Sequence, residues 1–356
     1  MHMADALISP AVGGTMWAVS AAAIANSSAK VRRELDDRTA PLMGVLGAFL
    51  FAAQMINFSI PATGSSGHLG GGLLLAILLG PHAAFLTIAS VLVVQALFFA
   101  DGGILAVGCN MFNMGFIPAF VVYPLIYKQI LGNHPNRSRM TLAIMASAIA
   151  TLQLGPFCVV LETWCSGISA LPFATFLLLM QPVHLAIGIV EGFVTVAIIS
   201  FVQEARPDIV QAAFVVRPAG SDPLRTVLVA FLAAALLTGG IVSWFASKNP
   251  DGLEWAIKKV TGREELKSSD LGIHGALAAL QEKTAFLPDY AFRKPTGPEA
   301  RPEGEKKDEG SRIGTSLSGV VGGMITLALI LLGGFLLKRP SQGGSSTMAG
   351  EPDGDH

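Results

Sequence analysis

The chain has 356 residues, of which 52% are hydrophobic and 14% charged, and its formal net charge is -1. That charged share lies far below the usual quarter, and mean hydropathy is +0.57, so a soluble globular domain and a nucleic-acid binder built on a basic surface are both excluded. The sequence reads as an all-α polytopic membrane protein, a bundle of about six to seven helices followed by a two-helix C-terminal unit with a large extracytoplasmic loop.

The first residues are Met1, His2 and Met3. A histidine at position two lets one short piece of backbone offer three nitrogens: the Met1 amine, the His2 amide and the His2 imidazole. Fused chelate rings of this kind suit a planar, nitrogen-preferring ion such as Ni²⁺ or Cu²⁺, whereas Zn²⁺ favours a tetrahedron and Mg²⁺ favours oxygen. The alternative is a histidine placed there by chance. No cleavable signal peptide is expected, because the charged cluster follows the first apolar stretch instead of preceding it.

That first span runs from about Pro10 to Asn26, and Lys30, Arg32, Arg33 and Arg38 then crowd a polar loop. By the positive-inside rule this loop is cytoplasmic and the N-terminus is outside. A second stretch, Pro41 to Phe58, returns outward to the loop Pro61–Gly72, which is rich in glycine, free of lysine and arginine, and carries His68. Leu73 to Leu79 is too short to span, Gly80 and Pro81 interrupt it, and His82 to Ala100 is long enough, so a short or broken helix precedes a full one. Phe112 to Tyr127 runs inward, Leu142 to about Leu161 outward, and Pro172 to Phe201 inward with a kink expected at Pro182. Every short loop placed outside lacks lysine and arginine.

Residues 207–223, with Pro207, Pro218 and Pro223, read as a cytoplasmic linker between a membrane domain at 1–206 and a second unit at 224–339. In that unit Leu224 to Phe245 spans outward and Ile313 to Leu337 spans back. Leu253, Trp255 and Ile257 suggest a short docked helix between them. Arg293 to Arg312 reads as a flexible strap, and 340–356 as a disordered tail in which His356 is a bystander.

His68 falls on the same side of the membrane as Met1 and His2, and its glycine-rich surroundings permit close backbone approach, so it is the candidate for the fourth metal corner. Asp5 could fix the tautomer of a ligand imidazole or simply cap a turn. His82, Glu162, His184 and Glu191 are polar groups inside spans, where burial is costly and function frequent. His184 and Glu191 share a helix face, open to a second metal position or to a helix-helix hydrogen bond. Gln54, Asn57, Gln95, Asn110, Asn113 and Gln153 would knit helices together or orient the loop. Cys109, Cys158 and Cys165 show no Cys-x-x-Cys spacing and are expected as small buried side chains.

Four stretches carry a resemblance: MHMADALISP, IPATGSSGHLGGGLLLAILLGPHAAF, FFADGGILAVGCNMFNMG and PVHLAIGIVEG. Together, over about the first two hundred residues, they resemble the CbiM/NikM family, the substrate-binding membrane components of energy-coupling factor transporters for nickel and cobalt. PDGLEW at Pro250–Trp255 and PDYAF at Pro288–Phe292 are similar to the NikN-type component, so the chain resembles the fused NikMN form. The resemblance implies a Ni²⁺ or Co²⁺ cargo held by Met1, His2 and His68. It also implies a CbiQ/NikQ-like coupling protein, CbiO/NikO-like ATPase subunits, and a bacterial or archaeal cell membrane with the C-terminus cytoplasmic. Many members read Met-Glu-Gly where this chain has Ala4-Asp5-Ala6, which leaves the role of Asp5 open.

No G-x-x-x-x-G-K-[ST] phosphate loop occurs, so ATP hydrolysis is assigned to partners and the chain is read as non-catalytic. Ala18 with Ala22 and Ala21 with Ala25 could dock the coupling protein or pack ordinary neighbours. Two rivals differ in class. Gly64-Ser65-Ser66-Gly67 fits the G-x-S-G pattern of rhomboid proteases, with a Ser66/His184 dyad, but leaves the N-terminal chelate unexplained. A secondary transporter working alone would take up metal without an ATPase and stop when the proton gradient collapses.

Overall fold

A single 3-10 turn, Asp5–Leu7, leads into α1 (Pro10–Glu34), and α2 (Thr39–Gln54) comes next. The computed structural model describes residues 2–34, 38–205, 224–293 and 306–338. α1 outruns the expected span: Arg32 and Arg33, anticipated in a loop, form its last turn, where cations favour the carbonyl end of the helix dipole.

After α2 the chain forms a hairpin that the sequence pattern did not announce. Its strands are β1 (Phe58–Ile60) and β2 (Ser65–Gly67), with Ser59 opposite Ser66. The predicted broken helix follows as α3 (Gly72–Leu79) and α4 (Pro81–Phe98), separated by Gly80 at φ +76°. Pro81 opens α4, where a missing N–H costs nothing. By helical rise, α3 covers about 12 Å and α4 about 27 Å, so the loop ahead of α3 lies alongside α4, short of its far end. A pair of buried amides sets that height. Gln95 Nε2 donates to Gln54 Oε1 at 2.9 Å, and Gln54 Nε2 donates to the Gly70 carbonyl at 3.0 Å.

α5 (Val107–Leu131) is π-helical through Phe112–Tyr127, where Pro118 and Pro124 remove ordinary ladder donors. α6 (Arg137–Ser166) starts at the Asn136 cap, and α7 (Phe173–Ala205) continues through Pro182 as one helix. Gly188 and Gly192 let α7 close on Ile149, Leu152 and Met145 of α6. Gln153 and Gln181 exchange side-chain-to-backbone hydrogen bonds across the same seam.

In the C-terminal part, α8 (Leu224–Gly240) and α11 (Lys306–Leu337) lie against α2. Small residues allow this fit: Gly47 faces Ile330, Gly322 faces the Phe51 ring, and Gly239 meets Gly319 backbone to backbone. The docked helix expected at Leu253–Ile257 is α9 (Gly252–Thr261), with Leu253, Ala256 and Ile257 buried. α10 (Gly272–Thr284) and a 3-10 turn at Pro288–Tyr290 complete the segment. Part of the expected strap belongs to α11, which already begins at Lys306, Arg293 bonds the Ala285 carbonyl, and 294–305 lie outside the described residues, as do the linker 207–223 and the tail 340–356 with His356.

Five described helices are long and apolar enough to cross a membrane, and Thr39–Gln54 and Arg225–Gly240 are shorter apolar ones. Leu125, Leu178, Phe193 and Phe335 are exposed, while Gln95, Asn113, Glu162 and Glu191 are buried. Apolar outside and polar inside is the arrangement a lipid solvent imposes. Cys109 is buried and Cys158 half-buried, but Cys165 is exposed near the end of α6, contrary to the expectation of three buried thiols.

Candidate metal centre

The N-terminal residues thread into the bundle instead of lying on it. Met3, Leu7 and Ile8 are almost wholly buried. Met3 N–H donates to Asn110 Oδ1 at 2.8 Å, and the Met3 carbonyl accepts from Gly103 N–H at 2.9 Å. Further along, Asp5 Oδ1 accepts the Ala106 N–H at 2.9 Å, and His274 Nε2 bonds the Ile8 carbonyl at 2.9 Å. An otherwise unpaired strand is thereby satisfied along its length, which fixes where His2 must sit. Met1 lies outside the described residues.

His68 arrives from the opposite side on the loop between β2 and α3. Glu191 of α7 holds that loop by accepting the Gly70 N–H at 2.7 Å and the Gly71 N–H at 3.0 Å. Gly71 has φ +74°, a conformation that a residue with a Cβ adopts only with strain. His68 Nδ1 donates to the Leu69 carbonyl at 3.1 Å, which leaves the lone pair on Nε2. Burial above all, with the His2 imidazole adding, pushes the His68 imidazole down to about 3, so it stays neutral at ordinary pH.

The two imidazoles come together with ring centres 5.0 Å apart and planes 6° from parallel. His2 Nδ1 sits 3.0 Å from Asp101 Oδ1, and His2 Nε2 is buried without a hydrogen-bond partner. Asp101 Oδ2 accepts the Tyr290 hydroxyl at 2.5 Å. Burial works against the Asp101 carboxylate, but the charge and hydrogen bond of His2, with the Tyr290 bond, hold it below the usual range. On the other flank Asp251 Oδ2 lies 3.9 Å from His68 Nε2. Among the described residues no three His, Cys, Asp or Glu side chains are arranged to hold a metal ion, so a centre here needs backbone nitrogens as well.

Several other sequence candidates support this cluster. Glu191 is a loop anchor, and Gln54 and Gln95 buttress the same loop. Asn110 clamps Met3, and Asn113 Nδ2 donates to Glu162 Oε2 at 2.8 Å beside the Met3 sulfur. His184 Nδ1 donates to the Met180 carbonyl, and its unpartnered Nε2 adjoins a cavity of about 10 Å³ that also touches His68 and Asp251. The Asn57 carbonyl accepts from Ser247 N–H, and Gln153 serves the α6–α7 seam. His82 stands apart, against Ser27 and the Phe120 ring. The protease dyad is not formed: Ser66 Oγ donates to the Asn249 and Pro250 carbonyls, while the His184 bond goes to backbone.

Residues 2–209 match the family described as the cobalt uptake substrate-specific transmembrane region, and residues 225–339 match the PDGLE domain. The chain belongs to the first of these families. A protein of Archaeoglobus fulgidus whose name describes a fused nickel transport protein, NikMN, is 31% identical over 342 residues, covering 95% of this chain and 98% of its own. The fused nickel transport protein NikMN of Rhodobacter capsulatus is 30% identical, covering 82% and 88%. A crystal structure of a truncated transition metal transporter superposes with TM-score 0.52 at 30% identity, over 57% of this chain and 99% of that one.

Within this family member, the sequence reading missed Asp101, Asp251 and Tyr290. Asp101 lies inside FFADGG and the other two inside PDGLEW and PDYAF, so the signal was on view. What a linear reading lacked was that both later motifs fold back onto the segments that carry His68 and Asp101. Asp5, the residue weighed for fixing an imidazole tautomer, caps the 104–106 turn, and Asp101 faces His2 instead. Above His2 opens a cavity of about 350 Å³ lined by Asp101, Glu254, Glu264, Glu265 and Asp289 among others. Burial and then the nearby Asp251 charge push Glu254 up to about 7.

Proposed function

We propose that this chain is the substrate-binding membrane component of an ATP-driven importer of nickel ions. The ion is held in a planar set made of the Met1 amine, the His2 amide and imidazole, and the His68 imidazole. One observation carries the reading: two histidines far apart in sequence are brought ring beside ring, inside the bundle, by hydrogen bonds that position backbone and not merely side chains. The fit is chemical as well as geometric. Planar nitrogen sets favour Ni²⁺, and the adjacent carboxylates of Asp101 and Asp251 offset the charge of a divalent ion.

Hydrated ions approach through the acidic cavity, whose carboxylates raise the local cation concentration. In this reading that cavity and the N-terminus face outside, and the basic ends of α1 and α5 face the cytoplasm. Energy comes from CbiO/NikO-like ATPase subunits through a CbiQ/NikQ-like coupling protein. Ala18, Ala21, Ala22 and Ala25 are all exposed on α1, which offers a close-packing face to that partner. Release follows when the chelate breaks, by reprotonation of the His2 amide or withdrawal of the strand.

Cobalt is the second reading, favoured by the description of the matching family, and it needs the same ligands. The resemblance of the whole chain to fused nickel transport proteins tilts the choice to nickel. Uptake of labelled Ni²⁺ and Co²⁺ by cells expressing the chain with and without the ATPase subunits tests the proposal. Nickel accumulation that needs the ATPase and disappears when the N-terminus is extended or acetylated supports it. Normal uptake by the extended chain, or uptake without the ATPase that stops with the proton gradient, overturns it.

A further inference from the structure

Tyr290 belongs to the second unit, yet its hydroxyl ends on the carboxylate that faces His2. The backbone beneath it is unusual. Asp289 and Tyr290 have φ of 51° and 58°, the left-handed region in which a tyrosine is strained unless its surroundings over-determine it. Those surroundings are on view. Asp289 N–H donates to the Phe99 carbonyl at 2.8 Å, the Tyr290 ring stacks on Phe99 at 5.3 Å, and Gln281 Nε2 donates to both the Ala96 and Gly102 carbonyls at 2.8 Å. Every one of these contacts grips the stretch that carries Asp101.

The grip bears on the choice of donor atom. An amide and an imidazole of one residue close a six-membered chelate ring only through Nδ1, and here Nδ1 faces Asp101. Metal binding through the chelate therefore requires a half-turn of the ring about Cβ–Cγ, which would carry Nδ1 to the opposite edge and put Nε2 on the edge that faces the carboxylate. We propose that Tyr290 is a positioning residue for the metal centre, clamping Asp101 so that its carboxylate takes the N–H of His2 and leaves Nδ1 to the ion. The second unit thereby sets the affinity of a site whose ligands all lie in the first. By linkage, a bound ion also tightens the docking of the outer segment. This rests on the Met1/His2/His68 reading above.

The test is a double-mutant cycle on the full chain with a free N-terminus, reading Ni²⁺ affinity by competition with a chelator and the absorption of the bound ion. Tyr290→Phe keeps the ring and its stacking while removing the hydroxyl, and Asp101→Asn removes the charge. Tyr290→Phe is expected to weaken Ni²⁺ about tenfold, Asp101→Asn by between ten- and a hundredfold, and the pair no more than Asp101→Asn alone. The absorption band should shift in all three. Unaltered affinity in Tyr290→Phe, or equal factors for that change with and without Asp101, makes Tyr290 a packing residue and overturns the proposal. His2→Ala separates the two failures: if it too keeps full affinity, the chelate is wrong and the positioning role falls with it.

Discussion

The two units meet at the His2–His68 cluster with different tools. The first builds it from inside, with buried amides and a carboxylate that grip backbone: Asn110 on Met3, Gln54 on Gly70, Glu191 on Gly70 and Gly71. The second comes from above and is joined both by loop backbone, through Ser66 N–H to the Pro250 carbonyl, Ser247 N–H to Asn57 and Asp289 N–H to Phe99, and by side chains such as Trp255, His274 and Gln281 that bond first-unit carbonyls. Its polar side chains reach the cluster at two points, Asp251 beside His68 and Tyr290 on the carboxylate that faces His2. Donor positions are therefore set by parts that cannot move without unfolding the bundle. Charge and hydrogen bonding around His2 and His68 come from both units, from Asp101 in the first and from Asp251 and Tyr290 in the second.

The sharpest way to break the contrast is to remove an anchor of the first kind. Glu191→Ala leaves two buried N–H groups without an acceptor, so stability should fall by about 3–5 kcal/mol, read by thermal unfolding in detergent. Glu191→Gln, which keeps one acceptor oxygen, should lose less. Equal stability in both variants would mean that the loop does not depend on this carboxylate.

Acid probes the boundary between the units. The pKa of His68 is lowered in the fold from its ordinary 6.5 to about 3, so its contribution to stability is complete above 6.5 and is lost as pH falls toward 3. Glu254 is raised from 4.5 to about 7, and its contribution runs the other way, present below 4.5 and lost as pH rises through 7. In a Glu254→Gln background the metal-free chain should therefore lose stability steadily from pH 6.5 downward, and adding His68→Gln should make that slope shallower. An identical slope without His68 would contradict its assigned burial.

The smallest effect belongs to the second unit. Asp251 caps α9 by accepting the Leu253 and Glu254 N–H groups while its other oxygen faces His68. Asp251→Ala should cost about 1 kcal/mol as a lost cap, whereas Asp251→Asn keeps the cap and should leave unfolding unchanged. Both should weaken Ni²⁺ by about tenfold. Intact affinity in Asp251→Asn would confine this residue to capping.

Five of the spans and the docked helix were legible because apolar runs, lysine-free loops and the Leu253/Ile257 spacing are local properties, whereas the first expected span, in α1, is not among the described helices apolar enough to cross a membrane. The halt at Gly80 and Pro81 was legible too, since both residues act on their own backbone. The hairpin at Phe58–Gly67 was not, because Ser65, Ser66 and Gly67 carry no alternating pattern and owe their extended form partly to pairing with Pro250 and Asp251. His2 and His68 could be nominated from residue chemistry and loop sidedness. Asp101 could not be placed against His2, nor Tyr290 against Asp101, because those contacts depend on how a distant unit folds over the loop. The cationic end of α1 was misplaced for a simpler reason: Lys30, Arg32 and Arg33 are good helix formers, and polarity was mistaken for a break.

The central claim is that two imidazoles and two backbone nitrogens hold one planar ion. Metal content and the visible spectrum of the purified chain with a free N-terminus, after exposure to equal Ni²⁺ and Co²⁺, test it most directly, with His2→Ala and His68→Ala alongside. The account predicts about one Ni²⁺ per chain with the absorption of a diamagnetic square-planar centre, and loss of both in each variant. A folded chain that binds no metal, or holds it equally well without His2 and His68, would contradict it.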